Sequence, residues 1–202
     1  MINFVWIDNP MPQWIRDNVN QFARLNPEMD LTIWTEDILL DKYKTVYDRL
    51  EDTAQRSDIL RYSALQQYGG WYFDTDFYPY RPVADIIKEY GINKNTFFVI
   101  YQQWNAKRLP ISNGCIYLDK DNPVFDDIID KYIFAVNPEK NRAAYGPMMF
   151  NDINRDNPEL FTFGEAKMFF PYNKTEAKQK YKTPSESNPF MAHVWSSPEK
   201  EY

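Results

Sequence analysis

Two aspartates one residue apart, Asp74 and Asp76, lie in an aromatic stretch that reads YGGWYFDTDFYP from Tyr68 to Pro79. In an extended chain, side chains two positions apart point the same way. The spacing therefore predicts that both carboxylates face one point, with Thr75 turned away. Carboxylates so placed repel each other unless a cation lies between them. Oxygen ligands select hard ions such as Mg²⁺ or Mn²⁺, and such an ion is the usual partner of a diphosphate. The chemistry suggested is that of a nucleotide diphosphate. The same triplet also fits a solvated turn after a strand. Its lead-in is more specific than such a turn needs. Gly69-Gly70 marks a tight reversal where a Cβ is not tolerated, and Trp71-Tyr72-Phe73 has high β-propensity.

A second group lies just upstream. Asp58 and Arg61 are three apart in AQRSDILRYSALQQY and share a helix face. One reading is an exposed helical ion pair worth a few tenths of a kcal/mol. The other turns that face into a site, where Arg61 offers a forked donor to phosphate or sugar oxygens and Asp58 accepts from sugar hydroxyls. His193 is the one histidine of the chain. It is either a satisfied core or surface residue or a nitrogen ligand that completes the cation site.

These groups need elements to hold them. Residues 2 to 7 (INFVWI) read as a strand, stopped by Asp8-Asn9-Pro10. Pro12 opens a helix in which Trp14, Ile15, Val19, Phe22 and Leu25 recur at helical spacing. Residues 31 to 35 give a second strand, so the first 35 residues form a βαβ unit with a parallel pair. A polar helical stretch follows at 42 to 52, then a helix at 54 to 68 with Ile59, Leu60, Ala64 and Leu65 as its core side. Further strands are predicted at 96–101, 114–118, 160–163 and 167–170, and apolar character returns at 190–195. Helices are predicted from Pro123 to about Asn137 and from Tyr145 to about Ile153. The lysine-rich segment 173–188 reads as a mobile polar loop. Alternation of this kind implies an α/β sandwich: a central mixed, mostly parallel sheet flanked by helices. Asp8, Asp74 and Asp76 would then lie along the rim at the carboxyl ends of the strands, where open α/β sheets bind ligands.

At 202 residues the chain suits one domain. A net charge of −6 with no basic stripe argues against nucleic acid as a partner. No apolar run approaches the roughly 20 residues of a membrane span, and MINFVWIDNP lacks the features of a secretion signal. The single cysteine, Cys115, excludes an internal disulfide and suits a cytoplasmic setting, with a structural role as a small buried hydrophobe.

The string RSDILRYSALQQYGGWYFDTDFYPYRP at 56–82 resembles the core of the DXD-containing sugar-binding glycosyltransferases. That family includes relatives of capsule- and lipooligosaccharide-building transferases, yeast α-mannosyltransferases and glucosylating clostridial toxins. SNGCIY (112–117), YGPMMF (145–150), FFPY (169–172) and AHVWSS (192–197) resemble its later blocks. One departure is Pro198 after Ser197, where the family often continues with Trp. The resemblance implies a GT-A-like (Rossmann-like) fold and retaining transfer of a hexose from a nucleotide sugar, UDP favoured over GDP, to a carbohydrate acceptor. It implies that Asp74, Asp76 and His193 hold Mn²⁺ or Mg²⁺. Asp58 and Arg61 would contact the donor sugar and phosphates, Val5 and Trp6 the base. Asn113, with Gly146-Pro147, would be pocket scaffolding. The 173–188 segment would be a lid, and a chain of this length admits a partner subunit. Two rivals stand beside this: a binding module that keeps the site without turnover, and a phosphohydrolase. The latter's D-x-D usually follows the first strand, with Thr or Val where this chain has Tyr78.

Overall fold

The computed structural model describes residues 1–7, 10–101, 111–136 and 143–195. The chain opens with β1 (Ile2–Val5), α1 (Gln13–Leu25) and β2 (Leu31–Trp34). β1 and β2 pair in parallel, Ile2 opposite Leu31 and Val5 opposite Trp34, which is the βαβ unit read from the apolar runs. Asn26 caps α1: its backbone N–H and its Nδ2 both donate to the Phe22 carbonyl. Its Oδ1 accepts from the N–H of Val83 and ties this end of α1 to the next layer.

A 3₁₀ turn at Glu36–Ile38 follows, and where one polar helix is predicted over 42–52 the chain makes a second 3₁₀ turn at Asp41–Tyr43 and a single turn, α2 (Lys44–Tyr47). Asp52 then accepts from the N–H groups of Ala54 and Gln55. It thereby starts a new helix, α3 (Thr53–Tyr68), and does not prolong the old one. α3 is buried almost all the way round, its polar residues Gln55, Asp58, Arg61 and Ser63 included. A helix with that many buried polar groups must have partners for them, and most of its partners belong to the site.

Gly69 and Gly70 reverse the chain at φ of +63° and +89°. Added Cβ atoms there would run into the backbone of Lys120 and of Met1, so the glycines are required by close approach as well as by conformation. β3 (Gly70–Phe73) follows, then β4 (Phe77–Pro79), α4 (Val83–Tyr90), β5 (Phe98–Tyr101) and β6 (Ile111–Leu118). A π turn at Phe125–Ile129 runs into α5 (Asp130–Ala135), and α6 (Pro147–Asp156) and β7 (Thr162–Gly164) come next. The last elements are α7 (Ala166–Phe169), α8 (Lys174–Lys180) and β8 (Met191–His193).

The strand predicted at 167–170 is thus the helix α7. So short an apolar run carries no usable period. As a helix it turns Phe169 onto the rings of Phe98 and Phe190. The predicted loop 173–188 contains α8, started by a capping box between Asn173 and Glu176. This segment is tied to the rest by the Tyr80 hydroxyl, which donates to the Tyr181 carbonyl at 2.6 Å, and by the Tyr172 hydroxyl on Thr183.

Six strands form the main sheet in the order β2-β1-β3-β6-β5-β7. β6 runs antiparallel to both its neighbours, and the other pairings are parallel. This is the mixed, mostly parallel sheet expected. Successive side chains alternate between two cores. Phe4, Trp71, Phe73, Phe98 and Cys115 pack beneath Val19 and Phe22 of α1. Tyr72, Val99 and Ile116 pack with Ile59 and Leu60 of α3 and with Met149 and Phe150 of α6. A separate pair, β4 with β8, sets Phe77 opposite His193.

Candidate metal and donor site

β1 and β3 are parallel neighbours, so Val5-Trp6 and Asp74 leave the sheet at the same edge. That edge is the carboxyl rim expected for a ligand. Asp8 lies outside the described residues. The backbone at Asp74 is not what the spacing predicts, however. β3 stops at Phe73, and Asp74 to Phe77 form a turn closed by the Phe77 N–H on the Asp74 carbonyl at 3.1 Å. The two carboxylates therefore converge through a turn, not through strand alternation. Convergence itself holds: ligand atoms of Asp74, Asp76 and His193 all lie within 4.8 Å of one another.

Each of the three arrives differently. Asp74 continues the alternation of β3 onto the α3 side. There its Oδ1 accepts from the Tyr72 hydroxyl at 3.0 Å and pairs with Arg61 at 3.1 Å. Burial holds the Tyr72 phenol well above its ordinary pKa, so that hydroxyl keeps its proton and can donate. The other oxygen, Oδ2, occupies space that exists because residue 114 is glycine: a Cβ there would stand 2.5 Å from it. Asp76 is almost buried after the turn. His193 is brought to it by β8, and the N–H of Val194, the residue after that strand, donates to the Asp76 carbonyl at 2.9 Å. The His193 Nε2 then lies 2.9 Å from Asp76 Oδ1. Phe77 and Trp195 pack on the imidazole, with ring centres 4.6 and 4.9 Å away, and Phe170 lies beyond at 5.6 Å. His193 Nδ1 is buried without a hydrogen-bond partner among the described residues. Two carboxylate oxygens and one imidazole nitrogen around a small gap form a donor set that suits Mn²⁺ and admits Mg²⁺.

Asp58 and Arg61 are not an exposed helical pair: they are 6 % and 5 % exposed. Nor is the Arg61 fork open toward a ligand. One terminal nitrogen holds Asp58 at 2.9 Å, and the other serves Asp74 and the Asn113 carbonyl. The guanidinium lies over the Tyr72 ring, 4.6 Å from its centre. Burial works against its charge, but Asp74, Tyr72 and Asp58 outweigh that and keep it a cation. Asp58 is less well compensated. Burial pushes its carboxyl up to about 6 from the ordinary 3.8, against the opposing pull of Arg61 and of the Asn113 amide. Asn113 Nδ2 donates to Asp58 Oδ1 at 2.7 Å and lies 3.2 Å from the Tyr62 hydroxyl, which donates to the Tyr145 carbonyl. The backbone of Gly146 completes this corner, since a Cβ on it would stand 3.0 Å from Asp58 Oδ2. A connected polar network thus runs from Tyr145 through Asp58 and Arg61 to Asp74. Val5 is buried and Trp6 half-buried, its indole Nε1 without a partner among the described residues.

Tyr62, Tyr72 and Gly114 escape the sequence reading. Tyr72 was detectable: it is two residues before Asp74 in the strand and so shares its side. Gly114 sits inside a β-prone run, where an isolated glycine signals close approach. Nothing local marks Tyr62, whose role comes from Tyr145 and Asn113 reaching it across the fold. A cavity of about 460 Å³ lined by Lys94, Asn95, Asp119, Asp121, Asn122 and Pro123 lies at the other end of the sheet, away from these groups.

Comparison with known proteins bears out the resemblance read from 56–82. Residues 12–93 match the model of the glycosyltransferase sugar-binding region containing the DXD motif. An uncharacterized glycosyltransferase of Acanthamoeba polyphaga mimivirus is 27 % identical over 140 residues, covering 69 % of this chain and 49 % of the relative. The chain thus spans about half the length of that curated relative. Among solved structures, the glycosyltransferase GlyE of Streptococcus pneumoniae superposes with a TM-score of 0.61 at 14 % identity, over 97 % of this chain and 54 % of that one. The catalytic domain of alpha-toxin from Clostridium novyi gives 0.51 at 9 % identity, over 80 % and 73 %. At these identities the superpositions speak for the fold, which is of the GT-A type. Ser197-Pro198 lies outside the described residues. No helix among the described residues is long and apolar enough to cross a membrane.

Proposed function

We propose that this chain is a metal-dependent glycosyltransferase that moves a hexose from a nucleotide diphosphate sugar, a UDP-sugar before a GDP-sugar, to a hydroxyl of a glycan or glycolipid. One observation carries the reading: Asp74, Asp76 and His193 bring their ligand atoms within 4.8 Å at the rim where β1 and β3 end. The sugar-binding region matched at 12–93 contains two of the three.

In this reading Asp74, Asp76 and His193 hold Mn²⁺ or Mg²⁺, which supplies neutralisation of charge on the departing diphosphate. Val5 and Trp6 lie by the base. Asp58 accepts from donor-sugar hydroxyls, in an orientation that Asn113 fixes. Arg61 acts in place. Its cation compensates Asp58 and Asp74 together and holds both carboxylates still, and only a rearrangement would present its fork to phosphate. The donor's C1–O bond breaks with its electron pair leaving on the diphosphate. The acceptor hydroxyl bonds to C1 from the same face, and its proton passes to the diphosphate, so configuration is retained. Fixed dipoles and charges that need no reorganisation supply the catalysis, and no nucleophile is assigned.

The test is a panel of UDP- and GDP-hexoses read by nucleotide release with Mn²⁺ present, with the anomeric configuration of product followed by NMR. Release with one donor, in the retained configuration, is expected. Donor binding with no release from any member would favour a binding module instead.

A further inference from the structure

α1 buries Ile15, Val19 and Phe22 in one stripe. Asn18 lies in that stripe, 0 % exposed, where spacing alone predicts an apolar side chain. Its Nδ2 donates to the Thr75 carbonyl at 3.3 Å. Its Oδ1 is buried and has no hydrogen-bond partner among the described residues. A buried acceptor left unpaired costs about 1–3 kcal/mol, a penalty that leucine at this position would avoid. Thr75 is the residue between the two aspartates, and the turn's own hydrogen bond, Phe77 N–H to Asp74 C=O, passes across it. α1 packs against β4, directly after that turn. A poorly compensated amide at a helix–turn contact makes sense if its work is on the turn and not on the core.

We propose that Asn18 is a positioning residue: its amide fixes the Thr75 peptide and thereby sets the spacing of the Asp74 and Asp76 carboxylates. An added ligand is not needed for this. The side chain acts through the backbone of the turn and touches no reacting atom. The same spacing governs how well a cation is gripped, so partners one step removed from a ligand set are worth about 10- to 100-fold in metal affinity. This last consequence, and not the first, rests on the metal reading above.

Asn18→Leu removes both hydrogen-bonding atoms at similar volume, and Asn18→Ala serves if leucine does not fold. Amide hydrogen exchange is followed without metal at Phe77, in the turn, and at Val99, in β5, as reference. Exchange at Phe77 is expected to rise about tenfold with exchange at Val99 not accelerated and, in the leucine variant, the melting temperature unchanged or raised. Mn²⁺ affinity by calorimetry is expected to fall about tenfold. Unchanged exchange at Phe77, or equal acceleration at Val99, overturns the proposal whatever the metal data show. If Phe77 responds but the unmodified chain binds no Mn²⁺, the role of Asn18 stands and the metal reading fails.

Discussion

Asp58 sets the sharpest residue-level expectation, because its surroundings pull both ways. Burial raises its pKa to about 6, while Arg61 and Asn113 oppose the rise. With the folded value above the unfolded one, this group's contribution to stability is full below about pH 4 and is lost as pH rises through about 6. A rise of that size corresponds to about 3 kcal/mol. A ¹³C carboxyl titration is expected to place its midpoint near 6. Asn113→Ala should move that midpoint upward, because it removes a hydrogen bond to the charged form. A midpoint at the ordinary value would contradict the burial argument. At the rim, Asp76→Asn is expected to lower transfer about 100-fold or more while the melting temperature stays within a few degrees. Gly114→Ala should act on the neighbouring ligand. Its Cβ would displace Asp74 Oδ2, so metal affinity should fall with the β3–β6 pairing kept. Normal affinity in that variant would mean that Asp74 is not a ligand.

At the scale of elements, the two-stranded β4–β8 pair carries the most weight for its size. It brings His193, 117 positions away in sequence, to the aspartate turn. α8 lies on this pair's outer side, with the ring of Tyr181 on that of Tyr78 and Tyr80 bonded to the Tyr181 carbonyl. Tyr80→Phe deletes that anchor, for a loss of about 1 kcal/mol. Proteolysis within 173–188 should quicken several-fold while the main sheet keeps its protection. Equal protection of the segment in both proteins would show that the hydroxyl does not hold it. The elements also show what the sequence could and could not disclose. β1, α1, β2 and β3 were legible from apolar runs, from the period of α1 and from Gly69-Gly70, because each repeats or punctuates locally. α3 was placed as a helix, but its burial almost all the way round, polar residues included, was not legible. α7 was not legible: four residues give no period, and Phe169 chooses its backbone by reaching Phe98. Among the candidate site residues, Asp74 and Asp76 could be picked from their spacing and setting, whereas the spacing of Asp58 and Arg61 fits an exposed pair as well and only the family resemblance pointed them inward. The direction of the Arg61 fork could not, because it depends on Asn113 and Asp74 arriving from other strands. Asn18 was hidden for the opposite reason, a polar residue in an apolar stripe whose partner lies 57 positions away.

At the scale of the whole molecule, the sheet separates two cores, and the site forms where β1 and β3 end together and β8 returns. Arg61 lies between carboxylates from α3 and from the β3–β4 turn, so it joins two elements as well as two charges. A ligand that binds this folded rim and not the unfolded chain must stabilise the fold by mass action. At a hundred times its dissociation constant, Mn²⁺ should add about 2.7 kcal/mol, seen as a rise in melting temperature that Asp76→Asn abolishes. Whether a cation at this rim bridges the chain to a diphosphate is decided by calorimetric titration of UDP, once with Mn²⁺ and once with a chelator. Saturable binding is expected with the metal and none without it. Equal heats in both, or none in either, would contradict a metal-bridged donor site.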